Sequence, residues 1–144
     1  MDLSKLNTAK GSEQGYELQL TNPATGADLG VYITVLGRDS LEFKKLQGEH
    51  SRKRIAKMHK AGIARGVDVA EIEKETIEVL SACTKSWRTI ETVDGKPVSN
   101  PILILGKERL EFSRDAAARV YTEYSWIKEQ IDAAVADRAN FLPR

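Results

Sequence analysis

The apolar positions of this chain change period several times, and each change marks an element. From Tyr16 to Leu20 they alternate with polar residues, and Leu29 to Leu36 is dense in β-branched and aromatic side chains, the pattern of two strands. Asn22-Pro23-Ala24-Thr25-Gly26-Ala27-Asp28 lies between them with proline and glycine turn signals, so the spacing predicts an N-terminal β-hairpin with a long loop. Ahead of it, Asp2 to Gly15 is small and polar, with Leu3 and Leu6 its apolar residues. Residues 1–15 are accordingly expected to form a flexible or docking arm, and 16–144 a single domain.

A helical period follows. Asp39 or Ser40 can cap a helix, with Glu42 completing a capping box on Asp39, and the helix is expected to run through Leu41, Phe43, Leu46, Ile55 and Met58 to about Ala61, where Gly62 ends it. Its apolar stripe is thin, and Gly48 and His50 interrupt it, so the second half is either exposed or needs a partner. Gly62 to Gly66 reads as a linker. Asp68 then caps a better-patterned helix through Val69, Ile72, Thr76, Val79, Leu80 and Cys83.

After Trp87, Arg88 to Val93, Asp94-Gly95 and Lys96-Pro97-Val98 predict a short hairpin with a tight turn. Ile102 to Leu105 suits a buried strand, with an inserted loop as the alternative. Ser113 and Ser125 are placed as caps of two closing helices, the second holding Trp126, Ile127, Ile131, Ala134 and Val135. The fold class expected is therefore α+β: the N-terminal hairpin, then a mainly helical body with a short central strand pair. Val69, Ile72, Val79, Leu80, Trp87, Val120, Trp126 and Ile131 are the expected core.

Composition narrows the function classes. The chain has 144 residues, 41% hydrophobic and 30% charged, with a net charge of +1, which suits one domain with a modest core and no membrane span. The start Met1-Asp2-Leu3-Ser4-Lys5 lacks the layout of a signal peptide, so a cytoplasmic location is expected. One cysteine and two histidines leave no disulfide scaffold or zinc ribbon, and no metal or cofactor is expected. Cys83 lies on an apolar stripe as a structural thiol; His50 and His59, nine residues apart, are read as solvated. No phosphate loop or acid-base constellation is present in the pattern, and an enzyme is not expected.

Charge is local instead. Between Lys44 and Arg65 eight basic residues stand against Glu49 alone, +7 in all. The next helix carries Asp68, Glu71, Glu73, Glu75 and Glu78 against Lys74, −4 in all, so the two can neutralise each other across a helical hairpin. This reading, or a protein contact, ranks above nucleic-acid binding by residues 44–65 because aromatics are not interleaved there.

Several stretches together resemble a known family: the Asp2-Leu3-Ser4-Lys5-Leu6 arm, Tyr32-Ile33-Thr34-Val35-Leu36-Gly37-Arg38-Asp39-Ser40, Leu80-Ser81-Ala82-Cys83-Thr84-Lys85-Ser86-Trp87, Leu110-Glu111-Phe112-Ser113, Trp126 to Ile131, and Asp137 to Leu142. In this order they resemble the tail assembly chaperones of long-tailed, siphovirus-type bacteriophages. Asn100 to Gly106 departs from the pattern as extra material before Leu110. The resemblance implies a protein of the host cytoplasm that binds the tape measure protein and keeps it soluble while the tail tube assembles. Self-association, on the ground of the hairpin and a chain short of core for its charge, and contact with the major tail protein are expected as well. Phe43, Leu46, Phe141 and Leu142 are the apolar candidates for the client contact, since no core partner for them is evident in the pattern; the alternative for Phe43 and Leu46 is that they pack on the hairpin. Lys44, Lys45, Arg52 and Arg54 would steer acidic stretches of the client. Leu29 to Leu36 is expected to offer a strand edge or face to a neighbouring subunit.

Overall fold

The computed structural model describes residues 1–61 and 69–143. Its α+β architecture comprises α1 (Ala9–Gln14), β1 (Tyr16–Thr21), β2 (Asp28–Val35), α2 (Leu41–Ala61), α3 (Val69–Cys83), β3 (Thr84–Val93), β4 (Lys96–Asn100), β5 (Ile102–Leu105), β6 (Glu108–Glu111), α4 (Arg114–Glu123) and α5 (Ser125–Ala136). Leu3–Leu6 and Arg138–Phe141 are 3-10 turns. The expected linker at Gly62 to Gly66 and the Asp68 cap lie outside the described residues.

The two expected hairpins join into one antiparallel sheet of order β1-β2-β3-β4, because β3 pairs with β2, with Ile33 opposite Trp87. Asp94 and Gly95 both have positive φ, at 50° and 76°, the combination that a two-residue type I′ turn requires to match strand twist. A second, two-stranded sheet is formed by β5 and β6, the latter on the approach to the penultimate helix. That approach ends at Ser113, whose Oγ accepts from the Ala116 amide 3.0 Å away. The first turn of α5 differs from expectation: Ser125 is already helical, and Tyr124 precedes it without a side-chain cap.

Alternation gives the sheet two unlike faces. Ile33, Val35, Leu20 and Trp87 point into a core closed by α3, α4 and α5, where Leu80, Val120, Tyr121, Ile131 and Val135 are buried. The opposite face carries Arg88, whose guanidinium lies 4.1 Å from the Tyr32 ring centroid and pairs with Glu17 at 2.7 and 3.0 Å. On the core side, Trp87 Nε1 donates to the Leu110 carbonyl at 3.1 Å and Thr89 Oγ1 to that of Ile102 at 2.7 Å, which holds the β5-β6 sheet against β3.

The expectation of an N-terminal arm changes. Residues 9–14 form a helix docked on the C-terminal 3-10 turn, with Ser12 fully buried, so this part of the supposed arm belongs to the packed body. Gly11 and Gly37 permit the docking: a Cβ on Gly37 would come within 2.9 Å of the Phe141 ring, and one on Gly11 would overlap the Phe141 carbonyl.

The expected strand edge also disappears. β2 is hydrogen-bonded on both sides, which leaves β1 and β4 as the sheet's edges. The Gln130 carboxamide engages the backbone of Thr21 in β1 at 3.0 and 2.8 Å, and β4 carries Lys96 and Pro97, residues that discourage further pairing.

Candidate partner-binding surface

Ser40 rather than Asp39 caps α2, its Oγ accepting from the Phe43 amide at 3.2 Å. Asp39 instead accepts from Arg138 at 2.9 and 3.0 Å and from Thr8 Oγ1, and these hydrogen bonds hold its pKa down at about 2. The first turns of α2 pack inward. Leu46 is buried with Leu36, Val79 and Cys83, and half-buried Phe43 touches both this small cluster and the main core. Cys83 is fully enclosed there, and desolvation pushes its thiol up to about 12, which removes it as a nucleophile near neutral pH.

Beyond Leu46 the helix runs alongside α3, and its ion pairs among the described residues go there. His50 Nε2 lies 3.3 Å from Glu78 Oε2, Arg54 pairs with Glu75, and Lys57 with Glu71. This is the neutralising helical hairpin that the charge pattern suggested. It corrects the expectation for His50, which is buried at 4% exposure against Glu78, while His59 is exposed. Helix α2 runs unbroken through Gly48, and the ladder follows on its distal half.

The candidate contact residues separate accordingly. Leu46 and Phe141 are core residues, at 6% and 1% exposure, and Phe141 also packs edge-on against Tyr16, with ring centroids 6.2 Å apart. They already have partners within the chain, so neither is a free contact surface. Leu142, Lys44, Lys45 and Arg52 are exposed, and Arg54 is tied to Glu75.

A different apolar set is open. Ile55, Met58, Val69 and Ile72 are exposed on the distal half of the hairpin, Val69 at 77%. Val69 and Ile72 were expected in the core; they continue the stripe of Val79, Leu80 and Cys83, but the body ends before it reaches them. Trp126, also expected in the core, is half-buried at its margin. The sequence signal for the exposed set was the thin stripe of α2, which required either solvent or a partner.

Among the described residues no group of three or more histidine, cysteine or carboxylate side chains could hold a metal ion, and no helix is long and apolar enough to cross a membrane. No protein-family model matches the chain, and no curated protein or solved structure matches it.

Proposed function

We propose that this protein is a tail assembly chaperone of long-tailed bacteriophages, a binding protein of the host cytoplasm that holds the tape measure protein soluble during tube assembly. The observation that carries the reading is the projecting α2-α3 hairpin, whose apolar residues are open to a helical client. The ordered resemblance of the chain to that family supplies the identity of the client. Reversible binding needs an accessible apolar surface and no reaction centre, and a helix-in-groove contact is the recognition mode such a client offers. Self-association and contact with the major tail protein belong to the same proposal, although β2 is not the strand through which copies would join.

A second reading, nucleic-acid binding through α2, is favoured by one observation: Lys44, Lys45, Arg52, Lys53 and Lys60 make no ion pair among the described residues. Pull-down of co-expressed tape measure protein, repeated at rising salt, tests the two. The chaperone reading predicts retention that survives high salt, because apolar burial is insensitive to screening. No retention at low salt, together with duplex binding that falls steeply with ionic strength, would replace it with the second reading.

A further inference from the structure

The ion-pair ladder fixes which side of the hairpin each residue faces. Rungs 50/78, 54/75 and 57/71 point α2 and α3 at each other. One residue further along turns a helix by about 100°. In an antiparallel pair the same step on both helices turns toward the same side. The residues one step beyond the rungs are Ser51 and Val79, Ile55 and Thr76, Met58 and Ile72. Val69 lies one turn further out on that side. Ile55, Met58, Ile72 and Val69 therefore form one continuous apolar face rather than scattered exposed residues, and buried Val79 shows that the body occupies its proximal end.

The rim of this face is charged in one sense. Arg52 lies one turn before Ile55 on the outer edge of α2, away from α3, with Lys45 two turns before it; Lys44, eleven residues before Ile55, is on the side of the face but past the end that the body occupies. None of the three makes an ion pair among the described residues. The carboxylates of α3 have no such surplus: Glu71, Glu75 and Glu78 are held by α2, and Glu73 by Lys128 at 3.0 Å. A second copy of the hairpin would meet the free cations of α2 with carboxylates already engaged, whereas a partner with its own acidic edge would satisfy them.

We infer that the Ile55, Met58, Val69 and Ile72 face docks an amphipathic helix whose apolar stripe is bordered by Asp or Glu, the third helix of a three-helix packing, with Arg52 and Lys45 on the α2 side toward the acidic border. The inference rests on the chaperone reading for the identity of the client, and on the hairpin alone for the surface. Apolar anchors supply the affinity of such a contact, and the cations set orientation and association rate.

The test is methyl NMR on the full chain, titrated with a synthetic amphipathic helix bearing leucines on one face and glutamates along its borders. A control peptide carries lysines in place of the glutamates. The expected result is saturable shifts centred on the methyls of Ile55, Met58, Val69 and Ile72. Binding should be at least about tenfold weaker for the lysine peptide and for Met58→Asp, a difference worth about 1.4 kcal/mol. Arg52→Glu should narrow the preference between the two peptides. Because Met58 and Ile72 are exposed, Met58→Asp and Ile72→Asp should retain the wild-type circular dichroism. The inference is overturned by shifts centred elsewhere, by absence of saturable binding, or by equal affinity for both peptides. It is equally overturned if those methyls respond only to protein concentration, to a DNA duplex, or to anionic phospholipid vesicles. Peptide binding at this face without solubilisation of tape measure protein would sink the chaperone reading and leave the surface standing; solubilisation unaffected by Met58→Asp and Ile72→Asp would do the reverse.

Discussion

Thr84 Oγ1 and Tyr121 Oη lie 2.7 Å apart inside the core, and the direction of their hydrogen bond follows from a third group. Thr84 Oγ1 also lies 2.7 Å from the carbonyl of Leu80, which can only accept, so the threonine proton goes there and Tyr121 donates to Thr84. The pair joins the end of α3 to α4 at the point where the chain enters β3. Tyr121→Phe removes a donor and leaves Thr84 still bonded to Leu80, so it should cost about 1 kcal/mol. Thr84→Val strands the buried tyrosine hydroxyl as well and should cost about 1 to 3 kcal/mol. Chemical denaturation of both variants and the double variant checks this. The order Thr84→Val worse than Tyr121→Phe, with the double change costing less than the sum, is the expected outcome.

Helix α3 should be divided energetically at the edge of the body. Leu80 is buried, and Leu80→Ala should cost about 2 to 5 kcal/mol, whereas Val69→Ala should fall within about 0.5 kcal/mol of wild type. Urea midpoints read the difference directly. Leu46→Ser is destabilising for the same reason as Leu80→Ala, so a loss of client solubility in that variant would report unfolding rather than binding.

Gly11→Ala gives a prediction of sign. Helix propensity alone favours alanine by about 1 kcal/mol. The Phe141 carbonyl already occupies the space a Cβ needs, so Gly11→Ala should destabilise, by about 1 to 3 kcal/mol. Gly37→Ala meets the Phe141 ring and the Ser12 hydroxyl and should act in the same direction. Thermal unfolding of the two variants, compared with Phe141→Ala, tests whether the terminus is docked as described.

Acid should weaken the fold through two carboxylates in particular. Arg138 and Thr8 hold Asp39 at about 2, and Arg109 with Asn100 holds Glu91 at about 2. Both are depressed below their ordinary values, so their stabilisation is complete above about pH 4.5 and is lost as pH falls toward 2. Urea midpoints at neutral pH and near pH 3 should differ less for Asp39→Asn and Glu91→Gln than for the unaltered protein.

What the sequence made legible was whatever local chemistry decides. The Asp94-Gly95 turn, the Ser113 cap and the alternation of Tyr16 to Leu20 need only neighbours along the chain. Opposite charge on two successive helices was enough to anticipate the Arg54-Glu75 and Lys57-Glu71 ladder. His50 was misread because its cover comes from Glu78, 28 residues away. Strand β6 was missed because Glu108-Arg109-Leu110-Glu111 has no apolar alternation; pairing with β5 and the Arg109-Glu91 and Arg119-Glu108 ion pairs hold it. The burial of Phe141 is not legible along the chain because two glycines, 26 residues apart, make its pocket. For Val69 and Ile72, periodicity identified the face but not where the body beneath it ends.

The most direct measurement of the central claim is the soluble fraction of the phage's tape measure protein, expressed with and without this protein. The chaperone account predicts that the tape measure protein is largely insoluble alone and moves to the soluble fraction in complex with the unaltered chain, and that Met58→Asp combined with Ile72→Asp reverses the gain. A tape measure protein whose solubility is the same with and without the unaltered chain would contradict it.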